Sequence, residues 1–83
     1  MTMSINNIVN IVKQCNIRLD FTYNGTYGNI DPYYSQKRNR PEYLLFYGDN
    51  EITVYSMDDV INTPFINGKA LSDISSELDF DEI

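Results

Sequence analysis

The sequence predicts an α+β fold: a four-stranded antiparallel sheet of two hairpins, with an N-terminal helix and short C-terminal helices packed on one face. Apolar residues recur with a helical period near the N-terminus, the period changes to two between residues 17 and 55, and helical spacing returns after Ser56. A chain of 83 residues forms one modest core, so residues 1–83 are expected to make a single domain.

The first predicted element is an amphipathic helix that begins after Ser4, whose hydroxyl can cap a backbone N–H of the first turn. At 3.6 residues per turn, one side of this helix is apolar and the other is polar. The apolar side is expected to contain Ile5, Ile8, Val9, Ile11, Val12 and Cys15.

A first hairpin follows, with alternating apolar residues from Ile17 to Tyr23 and a turn at Asn24-Gly25. The return strand is predicted from Thr26 to Ile30, with Gly28 marking a bulge. Asp31-Pro32 is expected to end it, and residues 31–41 are expected to form a loop.

A second hairpin is predicted from residues 43–47 and 51–55, joined by a turn at residues 48–50. Residues two apart lie on the same face of a strand, so one face of the sheet can be assigned to the core. We expect that face to contain Leu19, Phe21, Leu44, Phe46, Ile52 and Val54.

Helical signals return at Ser56, which is spaced from Asp59 as in a capping box and precedes a short helix near residues 58–61. Thr63-Pro64 is expected to end this helix. A last helix is predicted over residues 70–78, and the acidic tail behind it is expected to fray.

The residue types present restrict the chemistry. The chain has no histidine and one cysteine, so it lacks Ser-His and Cys-His nucleophile pairs, histidine metal sites and internal disulfides. Asp20 and Asp31 could form a carboxylate pair, but no local pattern fixes their separation. We therefore predict no enzyme activity, no catalytic residue, no cofactor and no metal.

No apolar run approaches the ~18 residues that span a bilayer. Asn6, Asn7 and Asn10 interrupt the apolar stretches near the N-terminus, which is unlike a secretory signal. We therefore expect a cytoplasmic protein that does not bind membranes.

The net charge is −6, and the two signs are separated along the chain. Through Pro41 five cations stand against two carboxylates, and from Glu42 onward ten carboxylates stand against Lys69 alone. An acidic half of this kind favours a basic partner and disfavours nucleic acid. Asp58 and Asp59 are the carboxylates chosen as candidate partner contacts.

Four tyrosines lie in one short stretch, and two interpretations of them stay open. They could form a partner-binding surface, because tyrosine combines a rigid apolar ring with a polar tip, or they could cover the solvent side of a sheet. The tyrosines are Tyr23, Tyr27, Tyr33 and Tyr34. As the alternative site, Lys37, Arg38 and Arg40 could contact nucleic acid or a nucleotide beside Tyr33 and Tyr34.

Three motifs carry a resemblance: YNG at residues 23–25, GNIDPY at residues 28–33 and NTPFINGKAL at residues 62–71. With these, the chain resembles small uncharacterised proteins of low-GC Gram-positive bacteria and their phages. Its size and acidity are also similar to those of phage anti-defence proteins, including anti-CRISPR inhibitors. This resemblance implies a phage- or mobile-element-encoded inhibitor that blocks a larger basic protein, such as a nucleic-acid-guided nuclease. The alternative is a small regulatory or nucleic-acid-binding module.

Overall fold

The computed structural model describes residues 1–82; Ile83, the last residue of the predicted domain, lies outside the described residues. The chain begins with a helix, α1 (Ile5–Val9), which continues as a π-helical turn (Asn10–Gln14). Four strands follow: β1 (Leu19–Tyr23), β2 (Thr26–Ser35), β3 (Arg40–Tyr47) and β4 (Asn50–Val54). The rest comprises α2 (Met57–Asn62), α3 (Leu71–Ile74), a 3-10 turn (Ser75–Glu77) and a short strand β5 (Asp79–Phe80).

The predicted α+β class is confirmed, and the sheet contains a fifth strand. All neighbours pair antiparallel in the order β4-β3-β2-β1-β5. The predicted helix starts are also confirmed, because the Ser4 hydroxyl accepts the Asn7 N–H at 3.2 Å and the Ser56 hydroxyl accepts the Asp59 N–H at 3.1 Å. None of the helices in residues 1–82 is long and apolar enough to cross a membrane.

One face of the sheet packs against the helices and forms the core. Across the strands, Leu19 pairs with Ile30, Ile30 with Leu45 and Leu45 with Ile52, so these four side chains share that face. The buried helix residues belong to the same core cluster; among them are Ile8, Val12, Val60, Leu71 and Ile74.

The predicted face of β3 is wrong. Leu44 and Phe46 point away from the core, and the buried residues of this strand on the core side are Tyr43, Leu45 and Tyr47. The segment from Tyr43 to Tyr47 is apolar at every position, so period-two alternation fits either face equally well. Burial of Tyr47 is compatible with its hydroxyl, which donates to the Tyr23 carbonyl at 2.7 Å.

The predicted loop over residues 31–41 is also wrong, because β2 and β3 continue through it to a turn at residues 36–39. Pro32 lies within β2, opposite Tyr43. Since β1 begins at Leu19, opposite Ile30, it does not extend to Pro32. The N–H that proline lacks is therefore not needed by β1, and the strand tolerates it.

Gly28 does not mark a bulge, because it continues the regular pairing between Phe21 and Tyr47. A Cβ at this position would lie 2.5 Å from the Phe21 ring and 2.6 Å from the Phe46 carbonyl oxygen. Glycine is thus required by the close approach of the Phe21 side chain across the strand.

Three terminal details differ from the predictions. Cys15 is exposed, because the π-helical turn changes the angular spacing that had placed it on the apolar side. Ile17 precedes β1 and is exposed. The last helical segment ends before Leu78, and the tail pairs with β1 through β5, which buries Phe80 against Phe21 with ring centroids 5.7 Å apart.

Candidate functional site

The helices leave the second face of the sheet uncovered, and we call this the open face. Alternation along each strand, together with the cross-strand pairs, assigns its residues. Its members are Asp20, Thr22, Tyr27, Asn29, Asp31, Tyr33, Ser35, Arg40, Glu42, Leu44, Phe46, Glu51, Thr53 and Asp79, with Tyr55 directly after β4.

An aromatic strip runs along the open face. Tyr27, Tyr33 and Tyr55 are 45%, 41% and 43% exposed, although they are large apolar side chains. Phe46 and Leu44 lie on β3 between them and are partly buried, and the Phe46 ring is 6.1 Å from that of Tyr27. A strip of this composition is typical of the central part of a protein interface.

A buried carboxylate lies at the hairpin end of this strip. Among residues 1–82, Glu42 is the one charged residue that is buried, with its side chain only 3% exposed. The Tyr33 hydroxyl donates to its Oε1 at 2.5 Å, the Arg38 Nη1 donates to its Oε2 at 2.7 Å, and the Arg40 Nε lies 4.0 Å from Oε2. These groups compensate the charge and the lost hydration of the carboxylate.

The same contacts shift three pKa values. The Tyr33 hydrogen bond, and then that of Arg38, lower the pKa of Glu42 from its ordinary value of 4.5. The Glu42 carboxylate in turn raises the pKa of Tyr33 and of Arg38. The cluster therefore keeps an anionic carboxylate, a neutral phenol and a cationic guanidinium together at neutral pH.

Arg40 connects this cluster to the edge of the sheet. Its guanidinium carbon lies 4.0 Å from the centroid of the Tyr55 ring, in cation–π contact, while its Nε faces Glu42. Because Arg40 lies on β3 and Tyr55 follows β4, the contact holds the last residues of the open face in place.

A second polar group fixes the other end of the strip. The Tyr27 hydroxyl donates to the Asp20 carboxylate, which also faces the Arg18 Nε at 3.3 Å. This hydrogen bond raises the pKa of Tyr27. Asn29 donates to the Tyr27 oxygen at 3.2 Å, and its own carbonyl oxygen is buried without a hydrogen-bond partner within residues 1–82.

The four predicted tyrosines do not form one surface. Tyr27 and Tyr33 lie together on the open face, whereas Tyr23 lies on the core side, half-buried, with its ring 6.3 Å from that of Tyr47. Tyr34 also alternates to the core side, where it is 56% exposed and its hydroxyl donates to the Asn39 side chain at 2.5 Å.

The other predicted contacts lie apart from the aromatic strip. Asp58 and Asp59 are exposed in the first turn of α2, a helix whose Met57 and Val60 pack into the core. Since the core is on the opposite side of the sheet from the open face, these two carboxylates belong to the helical layer.

The predicted basic cluster lies at the β2–β3 turn, and Glu42 offsets one of its three positive charges. Arg38 and Arg40 both face Glu42, whereas Lys37 makes no ion pair within residues 1–82. The i,i+4 spacing of Arg38 and Glu42 was visible in the sequence, but it indicates a contact only once the hairpin turn is known.

Sequence reasoning missed four residues of this surface. Leu44 and Phe46 were assigned to the core, and Glu42 and Tyr55 were not considered as a pair. The alternation that placed Ile52 and Val54 in the core also predicts that Tyr55 points to the open face, so the sequence did contain a signal for Tyr55.

Other chemistry has little support in the described residues. They contain no group of three or more metal-ligating side chains. Asp20 and Asp31 share the open face in diagonal positions, but Asp20 is engaged by Tyr27 and Arg18. A shallow groove of about 630 Å³ lies among three turns, lined by residues 24, 26, 47–50, 65, 67 and 68, and no ionisable group other than Asp49 and the buried Tyr47 lines it.

No family model, curated protein or solved structure matches this chain. Its function must therefore be inferred from the geometry and charge of the open face.

Proposed function

We propose that the protein is a non-enzymatic binding protein that uses its open face to occupy, and so to block, a cation-rich surface of a larger protein. The observation that carries this proposal is the aromatic strip of Tyr27, Phe46, Tyr33 and Tyr55, which is more than 40% exposed at its three tyrosines. Tyrosine side chains in such positions are the usual anchors of protein interfaces.

The tyrosines of the strip are already held in place. The hydroxyl of Tyr27 is bound by Asp20, that of Tyr33 by Glu42, and the ring of Tyr55 is covered by Arg40. Binding a partner therefore costs little additional side-chain entropy, because these rings lose few rotamers on association. This preorganisation supports a recognition role.

The charges of the open face favour a basic partner. Arg18 faces the carboxylate of Asp20, and Arg38 and Arg40 share that of Glu42. Asp31 and Glu51 make no ion pair within residues 1–82, and the whole chain carries −6. Arginine and lysine side chains of a partner would find complementary carboxylates beside apolar rings.

A nucleic-acid-binding protein presents the required cationic surface, and a nucleic-acid-guided nuclease is one member of that class. The binding protein would then act by competing with nucleic acid for those cations, as an inhibitor encoded by a phage or a mobile element would. Aromatic contacts would supply affinity, and the carboxylates would steer the encounter.

The alternative, direct binding of nucleic acid at the β2–β3 turn, has weaker support. Arg38 and Arg40 share the single carboxylate of Glu42, and Lys37 is the cation of that group without an ion pair in the described residues. Binding of nucleic acid is driven by protein cations that neutralise phosphates and so release the counterions condensed on them. A net charge of −6 opposes the approach of a polyanion.

The test uses two adjacent tyrosines as a matched pair. Tyr33 and Tyr34 are consecutive and similarly exposed, but they lie on opposite faces of β2. Immobilised parent, Tyr33→Ala and Tyr34→Ala proteins are exposed to host lysate, and any protein retained by the parent is purified for binding kinetics. We expect Tyr33→Ala to weaken binding by at least about 30-fold through faster dissociation, and Tyr34→Ala to bind like the parent.

Two further measurements complete the test. The purified partner should lose its binding to labelled DNA or RNA when the parent protein is added, and Tyr33→Ala should not displace the nucleic acid at the same concentration. Equal binding by both tyrosine variants, together with loss in Asp58→Asn/Asp59→Asn, would assign binding to the helical layer. Micromolar binding of the isolated protein to DNA, lost in Lys37→Ala/Arg38→Ala/Arg40→Ala, would establish the alternative.

A further inference from the structure

The sheet has two edges, and they differ in how they are protected. At the β5 edge the Phe80 N–H donates to the Met1 carbonyl at 2.6 Å, and the Met1 ammonium donates to the Phe80 carbonyl at 2.9 Å and to the Asp79 carboxylate at 2.6 Å. The N-terminus therefore covers this strand of two residues. The opposite edge is β4, which has five residues and one neighbour, β3.

The β4 edge has few of the features that prevent pairing with another chain. It pairs regularly with β3 from Asn50 to Val54, without a bulge, a proline or a lysine. Sheet edges of natural proteins are normally shortened, bulged, covered or given such residues, because a regular edge is a template for a further strand.

The phase of the backbone hydrogen bonds identifies the free groups. The Gly48 N–H donates to the Tyr27 carbonyl. Going back from Gly48 along β3, the backbone N–H and C=O groups of the even-numbered residues down to Glu42 therefore point towards β2. The backbone N–H and C=O groups of Tyr43, Leu45 and Tyr47 then point towards β4. There they bond the backbone groups of their partners Val54, Ile52 and Asn50. The backbone N–H and C=O groups of Glu51 and Thr53 consequently point away from the sheet.

We propose that two copies of this chain pair antiparallel through their β4 edges, with Thr53 of one copy opposite Thr53 of the other. The two sheets then form one continuous sheet of ten strands, and their open faces lie on the same side. This register also places Glu51 of each copy opposite Tyr55 of the other, because antiparallel partners are equidistant from the central pair.

Charge complementarity selects this occupant and this register. The two ends of the β4 edge carry opposite charges on the open face: Glu51 at one end, and at the other Tyr55 with the Arg40 guanidinium over its ring. A twofold axis at Thr53 brings each end beside its opposite in the second copy. A register centred on Glu51 would place two carboxylates opposite each other, which is unfavourable.

This pairing does not depend on the proposed inhibitory function, since it uses the edge of the sheet and leaves Tyr27, Phe46 and Tyr33 exposed. It also gives a role to β4, a five-residue edge strand that pairs with no second strand within residues 1–82. For a partner with repeated cationic surfaces, a dimer would present two copies of Tyr27, Phe46 and Tyr33 on one side of the joined sheet.

The experiment is sedimentation velocity of the full chain from micromolar to millimolar concentration, with two lysine variants as a matched pair. Thr53→Lys places two ammonium groups opposite each other at the twofold axis, whereas Thr22→Lys makes the same change on the open face of β1, away from the β4 edge. We expect the parent and Thr22→Lys to dimerise with similar affinity. Thr53→Lys should remain monomeric and keep the melting temperature that the parent has when it is too dilute to dimerise.

Amide hydrogen exchange gives a second readout. In the dimer the Thr53 amide is bonded to the second copy, so its exchange should accelerate on dilution, whereas the Ile52 amide, bonded within the chain, should not respond. A parent that stays monomeric at every concentration overturns the proposal, as does a dimer that persists in Thr53→Lys. If the parent is monomeric and Thr53→Lys loses only a heterologous partner, the edge binds a segment of that partner instead of a second copy.

Discussion

Truncating two adjacent residues of β3 to alanine, one at a time, gives the most direct test of the fold. Leu45 is fully buried in the core, and Phe46 is partly buried on the open face. Truncating Leu45 to alanine removes three carbon atoms at about 0.8 kcal/mol each, and the cavity that remains raises the loss to about 2–5 kcal/mol. Truncating Phe46 opens no closed cavity, because solvent reaches the site, and should cost about 1–1.5 kcal/mol.

These losses are large against a total stability of about 4–12 kcal/mol for a domain of this size. At about 4–8 °C per kcal/mol, Leu45→Ala should lower the melting temperature by at least about 8 °C, and Phe46→Ala by about 4–12 °C. Thermal melts followed by circular dichroism, at the same pH and concentration, decide the order. A larger loss for Phe46→Ala would mean that β3 is turned by one residue, with Leu44 and Phe46 in the core.

Three further predictions follow from individual contacts. Gly28→Ala should lower the free energy of unfolding by about 1–3 kcal/mol in a urea titration, because the new Cβ would meet the Phe46 carbonyl; an unchanged midpoint would contradict that close approach. Phe80→Ala should cost about 3–5 kcal/mol by thermal melt, whereas a fraying tail would give no loss. Because the folded state lowers the pKa of Glu42, this carboxylate stabilises the fold above its ordinary pKa and loses that effect as the pH falls. Urea midpoints measured between about pH 5 and pH 3 should therefore fall more steeply for the parent than for Glu42→Gln.

The parts of the fold that could be predicted are those set by neighbouring residues. Asn24 and Gly25 both have positive φ, as their turn requires, and the two serine caps accept the N–H groups expected of them. In each case the signal and the structure that it specifies lie within a few residues of each other.

The parts that could not be predicted depend on distant strands. The sequence predicted that β2 ends before Pro32. In the structure Pro32 lies within β2, where it is tolerated because β1 ends its pairing at Ile30 and needs no N–H from residue 32. Phe80 lies among carboxylates, so its neighbours gave no sign that it pairs with β1, nearly sixty residues earlier. The same limit applies to the site: Tyr27 and Tyr33 were identified by type, but the face of β3 that joins them is fixed by pairing across the sheet.

The error in β3 carries information about function. A strand that is apolar at every position from Tyr43 to Tyr47 is typical of one that is buried on both faces. In the monomer the helices cover one of those faces, so Leu44 and Phe46 are left on a surface where polar residues would suffice for folding. A substitution such as Phe46→Thr should therefore cost no more than about 1–1.5 kcal/mol of stability, while it removes the centre of the aromatic strip. If the open face binds a partner, that variant keeps the fold and loses the partner, which separates recognition from stability at a single position.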